Sequence, residues 1–515
     1  MKLGNSRERC GPWQARPYPR LQAVSDRKAT TRGGPMEILA SVIDYVLNDL
    51  GSTVTLSAVM FVLGLVMGMK PAKAFSAGVM FGVGFSAMSL VIGYMTSAIS
   101  PAAEAMTKSV GKSFNVVDGG WPTLALITWT WRWAFVLFPV QFGINLVMFV
   151  TGRTKTINVD LWNVWGKIFM AIVVESVTGS LWVALAVASL RIVLELVLGD
   201  ALQPRILERT GLPGVTCPHS TLLHMATLYP IELLLRRIPA LGRASFDAEY
   251  LRSKIGIFAE NQIMGFVLGI LFGLVARYTV AQALVLGFSA ACAMTLLPIA
   301  TDVFGRALTP ISEACQDFMR RHSAGREVLI GLDIPILLGS TEIWAAAMVS
   351  VPFTLLWAIV MPWNNMLPFA SIVNYGCALV AFYVCEGNLL RMVILMAGVS
   401  APIFLWCGNA VAPVVSELAL KAGIIDSGLI SSAGIDCPLF AYSFAYVFQL
   451  PQGNFLPLLG CAYFLFGYVL LIRDLRRAYP GGAVAPAAGS ASDLPGGAVA
   501  AADAAPDAAP AGETD

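Results

Sequence analysis

The stretch Val328–Glu342 reads VLIGLDIPILLGSTE and places two acids inside a run that is otherwise almost wholly apolar. Gly331, Pro335 and Gly339 interrupt this run every four residues, a pattern that is not typical of a straight helix in lipid. An ionised carboxylate at the centre of a bilayer costs at least about 2.5–3.5 kcal/mol. We therefore expect Asp333 to face a wet cavity that is lined by protein.

The same stretch has a second interpretation, in which a helix begins at a membrane surface with Asp333 as its N-cap and Pro335 in its first turn. The two interpretations are compatible, because the N-terminus of a broken helix near the bilayer midplane is a common site in transporters. The stretch predicts a helix interruption, and it leaves open whether the acid caps a helix, serves a site or does both.

The composition of the 515-residue chain indicates a membrane protein. Hydrophobic residues make up 57% and charged residues 13%, against roughly 25% charged residues in soluble domains. Several runs of about 20 residues carry no charge and are long enough to cross a hydrocarbon core about 30 Å thick. We predict an all-α polytopic membrane protein with about ten or eleven transmembrane helices, and some of the short apolar runs are candidates for re-entrant segments.

Residue usage argues against several other classes of protein. The formal net charge is +2, so the chain has no electrostatic footprint of a nucleic-acid-binding protein. The nine cysteines are scattered without a CxxC pair, which is typical of small buried side chains and not of a disulfide frame. With three histidines and no nucleotide motif, we expect no metal site and no cofactor.

The two ends of the chain differ in composition from its middle. Residues 1–35 hold eight Lys or Arg against two acids, so they form a disordered basic arm or precede the true initiator, Met36, which we favour. Residues 478–515 are rich in Ala, Pro and Gly, and the sextet PGGAVA occurs there twice, which predicts a disordered tail. The membrane domain is therefore placed at 36–477.

The two halves of this domain share a sequence pattern. The segment Val116–Pro122 in the first half and the segment Gly331–Pro335 in the second each place an acid beside Gly and Pro between apolar runs. The two acids are Asp118 and Asp333. Matching broken segments in two halves of a chain indicate the binding site of a transporter.

Five sequence blocks follow one another in a recognisable order. They are VVDGGWP at 116–122, NVDLWNVW at 158–165, Pro218-His219, Gly331-Leu332-Asp333 and EGNLLR at 386–391. Together they resemble the galactitol-type IIC components of the bacterial phosphoenolpyruvate-dependent sugar phosphotransferase system (PTS). The resemblance runs from about Met36 to Arg477.

The resemblance implies a homodimeric permease, embedded in the lipid of the bacterial inner membrane, with internal inverted repeats and re-entrant hairpins. It also implies group translocation, in which a polyol bound by IIC receives a phosphoryl group from a phosphocysteine on a separate IIB protein, which is supplied by IIA. This chain departs from the usual sequence pattern of the family at three places. Ser220-Thr221 follows Pro218-His219, Ile334 follows Asp333, and Asn261 follows Glu260. The substrate is therefore left open among galactitol, another hexitol, a pentitol and a related sugar.

A polyol presents hydroxyl groups that both donate and accept hydrogen bonds, so acids, amides and an aromatic ring are suitable partners. The predicted substrate-binding residues are Asp118, Trp121, Glu260, Asn261, Asp333, Glu342, Glu386 and Asn388. A hydroxyl that attacks phosphocysteine benefits from a nearby base, and either Asp333 or His219 is the candidate for that catalytic role.

Most of these residues also have a structural interpretation. Trp121 is alternatively a packing residue, and Glu386 is alternatively an interfacial acid paired with Arg391. His219 is alternatively a helix cap, and Glu260 is alternatively a helix start. For Asp160 and Asn163 we favour the structural role, a helix cap after a loop.

Two other functions explain acids in broken helices. The first is an ion- or proton-coupled secondary transporter, which differs from a PTS permease in that its product inside the cell is not phosphorylated. The second is a membrane protein that does not transport, such as a sensor or an assembly factor, and the paired broken segments argue against it.

Overall fold

The computed structural model describes residues 60–480, apart from 67, 159, 212–213, 244–259, 322–327 and 339, together with short pieces at 53–54 and 57–58. The predicted basic arm at 1–35 lies outside the described residues. So does the predicted tail at 478–515, except for its first three residues.

Helices account for most of the described chain. In the first half they are α1 (Pro71–Val110), α2 (Gly120–Trp129), α3 (Leu137–Val150), α4 (Trp165–Thr178), α5 (Leu181–Thr210), α6 (Met225–Leu235) and α7 (Pro239–Arg243). In the second half they are α8 (Asn261–Val275), α9 (Val280–Arg321), α10 (Thr341–Val360), α11 (Tyr375–Cys385), α12 (Leu389–Leu395), α13 (Ala401–Lys421), α14 (Pro438–Tyr446) and α15 (Leu456–Ala478).

The described helices confirm the predicted class, an all-α polytopic membrane protein. Four helical segments are long and apolar enough to cross a membrane: Pro71–Met95, Leu181–Thr210, Leu389–Lys421 and Leu456–Ala478. The pair Gly120–Trp129 and Ala134–Val150 meets at a 93° bend and is a broken span or a re-entrant loop. Shorter apolar helices accompany these spans. The number of ten or eleven transmembrane helices stays a prediction.

Within the described residues, six very short strands interrupt the helices and form two parallel three-stranded sheets. The strands are β1 (Val116–Asp118), β2 (Thr156–Asn158), β3 (Val215–Thr216), β4 (Leu329–Gly331), β5 (Met366–Leu367) and β6 (Leu429–Ser431). Sheet A has the order β5-β1-β6, and sheet B has the order β2-β4-β3. Each half of the chain thus supplies the central strand of one sheet and both edge strands of the other.

This exchange of strands is an internal repeat, in agreement with the repeats that the resemblance implied. The long helix α1 leads into β1, and the long helix α9 leads into β4. The helices α4 and α5 lie between β2 and β3, and α11 and the continuous helical segment Leu389–Lys421 lie between β5 and β6. The sequence pattern shared by Asp118 and Asp333 reflects the repeat, because Asp118 ends the central strand β1 and Asp333 follows the central strand β4.

A stripe of glycines packs α8 against α9. A Cβ at Gly265, Gly269 or Gly273 would lie 2.6–2.8 Å from a backbone atom of α9, so a larger side chain would separate the two helices. Small residues at such spacing are typical of close helix pairs in membranes. The pair α8 and α9 packs on α1, and large apolar side chains on the outer faces, including Phe75 and Phe288, are exposed as lipid-facing residues are.

Lys112, just beyond α1, binds the C-terminal end of α10. Its Nζ donates hydrogen bonds to the carbonyl oxygens of Ala358 at 2.6 Å, Ile359 at 2.8 Å and Met361 at 2.6 Å. These oxygens lie at a helix end that has no further turn to satisfy them, and a cation is favourable there. Lys112 therefore joins the long first helix to the second half of the chain.

Replacing this cation tests its contribution to stability. We expect Lys112→Met to lower the free energy of unfolding by about 1.5–3 kcal/mol, because charged hydrogen bonds to helix-end carbonyls are lost. The measurement is the Tm of the purified protein in detergent, followed by tryptophan fluorescence. Lys73→Met, which changes an exposed lysine in the first turn of α1, is the matched control. Equal Tm values for the two variants would contradict the assignment.

Candidate functional site

The carboxyl ends of the three strands of sheet B bring three side chains to one point. Asp160 follows β2, Asp333 follows β4 and His219 follows β3. Because the strands are parallel, these ends lie at the same edge of the sheet. One nitrogen or oxygen atom from each side chain lies within 4.8 Å of the others. His219 Nε2 is 3.5 Å from Asp333 Oδ1.

Asp333 and His219 line a cavity of about 200 Å³ between segments of both halves. Trp121, Trp162 and Trp165 form an aromatic wall, in which the rings of Trp121 and Trp165 stack with centroids 6.3 Å apart. Trp121 Nε1 donates a hydrogen bond to the Tyr375 hydroxyl at 3.0 Å, which fixes the indole in place. Trp121 therefore packs in an aromatic cluster and lines the cavity as well.

Asp333 fits both interpretations of the opening stretch. Its Oδ1 accepts a hydrogen bond from the Ile334 N–H at 2.6 Å, at the start of the 3₁₀ helix Ile334–Leu337. Its side chain is still 37% exposed and lines the cavity. The acid caps a short helix with one oxygen and keeps acceptor capacity for a ligand.

His219 also combines a cap with a place in the cavity wall. Its Nδ1 accepts a hydrogen bond from the Thr221 N–H at 3.0 Å, at the start of the 3₁₀ helix Ser220–His224. In a neutral imidazole, a ring nitrogen that accepts leaves the proton on the other nitrogen. Nε2 therefore carries the proton and faces Asp333 as a donor. A protonated Nε2 is not available as a metal ligand, so the cluster is better suited to bind hydroxyl groups.

Asp160 and Asn163 bond to each other at the start of a helix, in the structural role that the sequence favours. Asp160 Oδ1 accepts from the Asn163 N–H at 3.1 Å, and Asp160 Oδ2 accepts from Asn163 Nδ2 at 2.6 Å. These bonds begin the 3₁₀ turn Trp162–Val164, which leads into α4. Asn163 also lines the cavity, so the cap places an amide beside Asp333.

Asp118 lies beneath the cavity and does not line it. The carboxylate is fully buried and accepts hydrogen bonds from the N–H groups of Gly120, Phe369, Ser371 and Ala433 and from the Ser371 hydroxyl, at 2.9–3.1 Å. These donors follow the three strands of sheet A and use the acceptor capacity of the carboxylate. Asp118 thereby fixes the loop after β5, including Ser371, which lines the cavity.

The structure does not bring Glu260 or Glu342 into the cavity. Glu260 is exposed at the start of α8, as in the helix-start interpretation, and its Oε2 accepts from Gln262 Nε2 at 2.6 Å. Asn261 is the first residue of that helix. Glu342 lies in the first turn of α10, where it accepts a hydrogen bond from the Ser340 hydroxyl.

Glu386 and Asn388 lie at a junction of helices outside the cavity wall. Glu386 ends α11 in a left-handed conformation, and its 53% exposed side chain pairs with Arg205 at 3.5 Å. The predicted pairing of Glu386 with Arg391 is wrong, because the Arg391 guanidinium bonds the buried carboxylate of Glu232 instead. Asn388 is the N-cap of α12 and accepts from the Arg391 N–H at 3.1 Å.

A buried ionic network lies behind the cavity. Lys167 Nζ is 2.6 Å from Glu195 Oε2, and Arg191 Nε is 3.3 Å from Glu195 Oε1. The network holds two residues of the site region, because Glu195 accepts from the Ser220 hydroxyl at 2.5 Å and Lys167 donates to the Asn163 carbonyl at 3.1 Å. Breaking such a buried pair on one side leaves an uncompensated charge, so the network makes the wall rigid.

The sequence analysis missed several residues of the cavity, of which Asp436 and His224 carry chemistry. Asp436 had a signal that was overlooked. Gly434-Ile435-Asp436 repeats the pattern of Gly331-Leu332-Asp333, and in both cases the acid follows a short strand. His224 had no comparable signal, because a single histidine in an apolar helix is usual in a protein core.

The fold and the cavity define a class of protein, a membrane permease whose polar site is built from interrupted helices. Residues 45–428 match the profile of the EIIC-GAT family, described as the PTS system sugar-specific permease component. The chain belongs to this family, which confirms the resemblance. It is 33% identical over 394 residues to the "PTS system galactitol-specific EIIC component" of Escherichia coli (strain K12), a match that covers 76% of this chain and 87% of that protein. The protein of the same name from Escherichia coli O157:H7 matches with the same values.

The position of Asp118 predicts a structural role that a variant can test. We expect Asp118→Asn to lower the free energy of unfolding by about 1.5–3 kcal/mol or more, because an amide group meets backbone N–H donors. Thermal unfolding in detergent measures the loss, with Asp426→Asn, at an exposed acid, as the control. A variant that keeps the wild-type Tm and loses only polyol binding would contradict this role and favour direct contact with substrate.

Proposed function

We propose that the protein is the IIC permease of a polyol phosphotransferase system, and that it translocates galactitol or a related acyclic polyol with coupled phosphorylation. A separate IIB protein supplies the phosphoryl group from a phosphocysteine, and IIA recharges IIB. The permease acts as a homodimer in the bacterial inner membrane. The observation that supports the proposal most strongly is the Asp333–His219 pair beside an aromatic wall in a protein-lined cavity.

The donors and acceptors of the cavity suit a polyol. Asp333 offers acceptor oxygens, His219 offers an N–H and Asn163 offers an amide, so neighbouring hydroxyl groups find both kinds of partner. The stacked rings of Trp121 and Trp165 give the carbon chain an apolar face. Such a combination of a mostly apolar lining and a few placed polar groups is typical of small-molecule sites.

We assign the catalytic base to Asp333 and a positioning role to His219. The oxygen of a polyol hydroxyl attacks the phosphorus of phosphocysteine, the S–P bond breaks, and the sulfur leaves as the thiolate of IIB. The hydroxyl proton passes to Asp333. His219 is unsuited to receive it, because its Nδ1 already accepts from Thr221 and its Nε2 carries a proton. Positioning supplies most of the rate in phosphoryl transfer, and a base adds about 10²–10⁴-fold.

The names of the relatives favour galactitol as the substrate, and two of the residues that differ from the family pattern line the cavity. Ile334 and Thr221 both line the cavity, so the other hexitols and the pentitols stay open as substrates. Galactitol is the first compound to test, followed by the other hexitols and the pentitols.

Transport with product analysis tests the proposal. Vesicles that contain the protein receive IIA, IIB, phosphoenolpyruvate and labelled polyols, and the labelled compound inside is identified. We expect a polyol phosphate that disappears when IIB is omitted. Unmodified polyol that accumulates without IIB and is lost with an uncoupler would contradict the proposal and establish the ion-coupled transporter.

Two substitutions separate the base from its neighbour. We expect Asp333→Asn to lower the rate of polyol phosphate formation by about 10²-fold or more while polyol binding is kept within a smaller factor. His219→Gln keeps an N–H donor, so it retains much more activity than His219→Ala. If His219 were the base, His219→Gln would be as inactive as Asp333→Asn. Asp426→Asn is again the matched control.

A further inference from the structure

A second acid faces the same cavity from the loop that follows a strand of the other sheet. Asp436 follows β6 of sheet A, as Asp333 follows β4 of sheet B, and each acid ends a Gly-Leu-Asp or Gly-Ile-Asp triplet. Both acids line the cavity. The cavity therefore has two acidic positions, only one of which the proposed reaction uses.

One short segment connects the two acids. The Thr221 hydroxyl donates to Asp436 Oδ1 at 2.7 Å, and His219 Nε2 lies 3.5 Å from Asp333. The Thr221 N–H donates to His219 Nδ1, so a chain of contacts runs from Asp333 through His219 and Thr221 to Asp436. This chain fixes the spacing of the two carboxylates in the wall.

The carboxylate of Asp436 has unused acceptor capacity. Asp436 is 7% exposed, and its Oδ2 accepts no hydrogen bond from any described residue. Arg191 does not supply one, because its Nη2 donates to the main-chain oxygen of Asp436 at 3.3 Å. A buried carboxylate oxygen without a donor is costly. Asp436 Oδ2 lies against Gly166 of α4 with almost no exposed surface, so a donor in the cavity reaches it only after the carboxylate turns. Rotation about the broad χ2 torsion of an aspartate turns an oxygen toward the cavity.

We propose that Asp436 is a specificity residue that binds a second hydroxyl group of the polyol, distinct from the hydroxyl that Asp333 activates. The proposal rests on the proposed function, because it names a further contact in the same site. Two carboxylates at a fixed spacing select a substrate with two hydroxyl groups at a matching spacing. A site built to bind a hydroxyl strongly disfavours an analogue that lacks it, since the acceptor stays unpaired.

A panel of single-deoxy galactitols tests the wild-type protein directly. We expect two different positions at which loss of the hydroxyl weakens binding by about tenfold or more, one for each acid, in titrations of the purified full chain followed by tryptophan fluorescence. A panel with one sensitive position, or with none, would overturn the proposal without any variant being made.

Variants then assign the positions to the acids. We expect Asp436→Asn to weaken galactitol binding by about tenfold or more relative to wild type. For the deoxy analogue that lacks the hydroxyl bound by Asp436, the variant and wild type should have the same affinity. Asp333→Asn should identify a different analogue. Asp426→Asn is the control, and Asp436→Ser gives a second reading if the amide variant does not fold. Wild-type affinity in the Asp436 variants, or equal losses for every analogue, would overturn the assignment.

The outcome for wild type separates this inference from the proposed function. If wild type binds no polyol and forms no polyol phosphate, the proposed function fails and the inference fails with it. If wild type forms polyol phosphate and the Asp436 variants bind every analogue as wild type does, the inference alone fails.

Discussion

Backbone polar groups that leave a helix inside a membrane must find partners within the protein, and this requirement shapes the structure. The interrupted segments satisfy it by pairing as short parallel strands, and neither half of the chain can complete a sheet alone. The central strand of sheet A comes from the first half and its edges from the second, and sheet B has the reverse arrangement. The loops that follow the strands therefore meet between the halves, where the cavity lies. The site depends on this exchange of strands.

The two repeats use their central acids in opposite ways. The Asp118 carboxylate accepts hydrogen bonds from the loops that follow the strands of sheet A and fixes these loops in place. Asp333 accepts one hydrogen bond at the start of a short helix, and its side chain lines the cavity beside His219. A repeated pattern thus yields one structural acid and one exposed acid. The second acid at the cavity, Asp436, belongs to the loop after β6 and extends the polar surface beyond the Asp333–His219 pair.

The sequence predicted the class of protein, the helix interruption at Asp333 and the correspondence between two broken segments. A charged residue, a glycine or a proline in an apolar run is recognisable, because a buried charge costs much free energy in a membrane. The sequence could not predict the sheets, since strands of two or three residues have no periodicity. It also could not separate the acids that line the cavity from acids that end helices. Glu260, Glu342 and Asp333 all lie at the start of an apolar helix, and only the tertiary fold places one of the three in the cavity. Asp436 was missed although its triplet repeats that of Asp333.

The central claim is that the polyol binds at the open end of sheet B, beside Asp333, and that Asp118 in sheet A has a structural role only. An experimental structure of the full chain with bound galactitol tests this claim most directly. The account predicts a polyol whose carbon chain lies against Trp121 or Trp165 and whose hydroxyl group is within hydrogen-bond distance of the Asp333 carboxylate. The Asp118 carboxylate should keep its backbone donors and make no contact with the polyol. A polyol bonded to Asp118, with Asp333 free, would contradict the account.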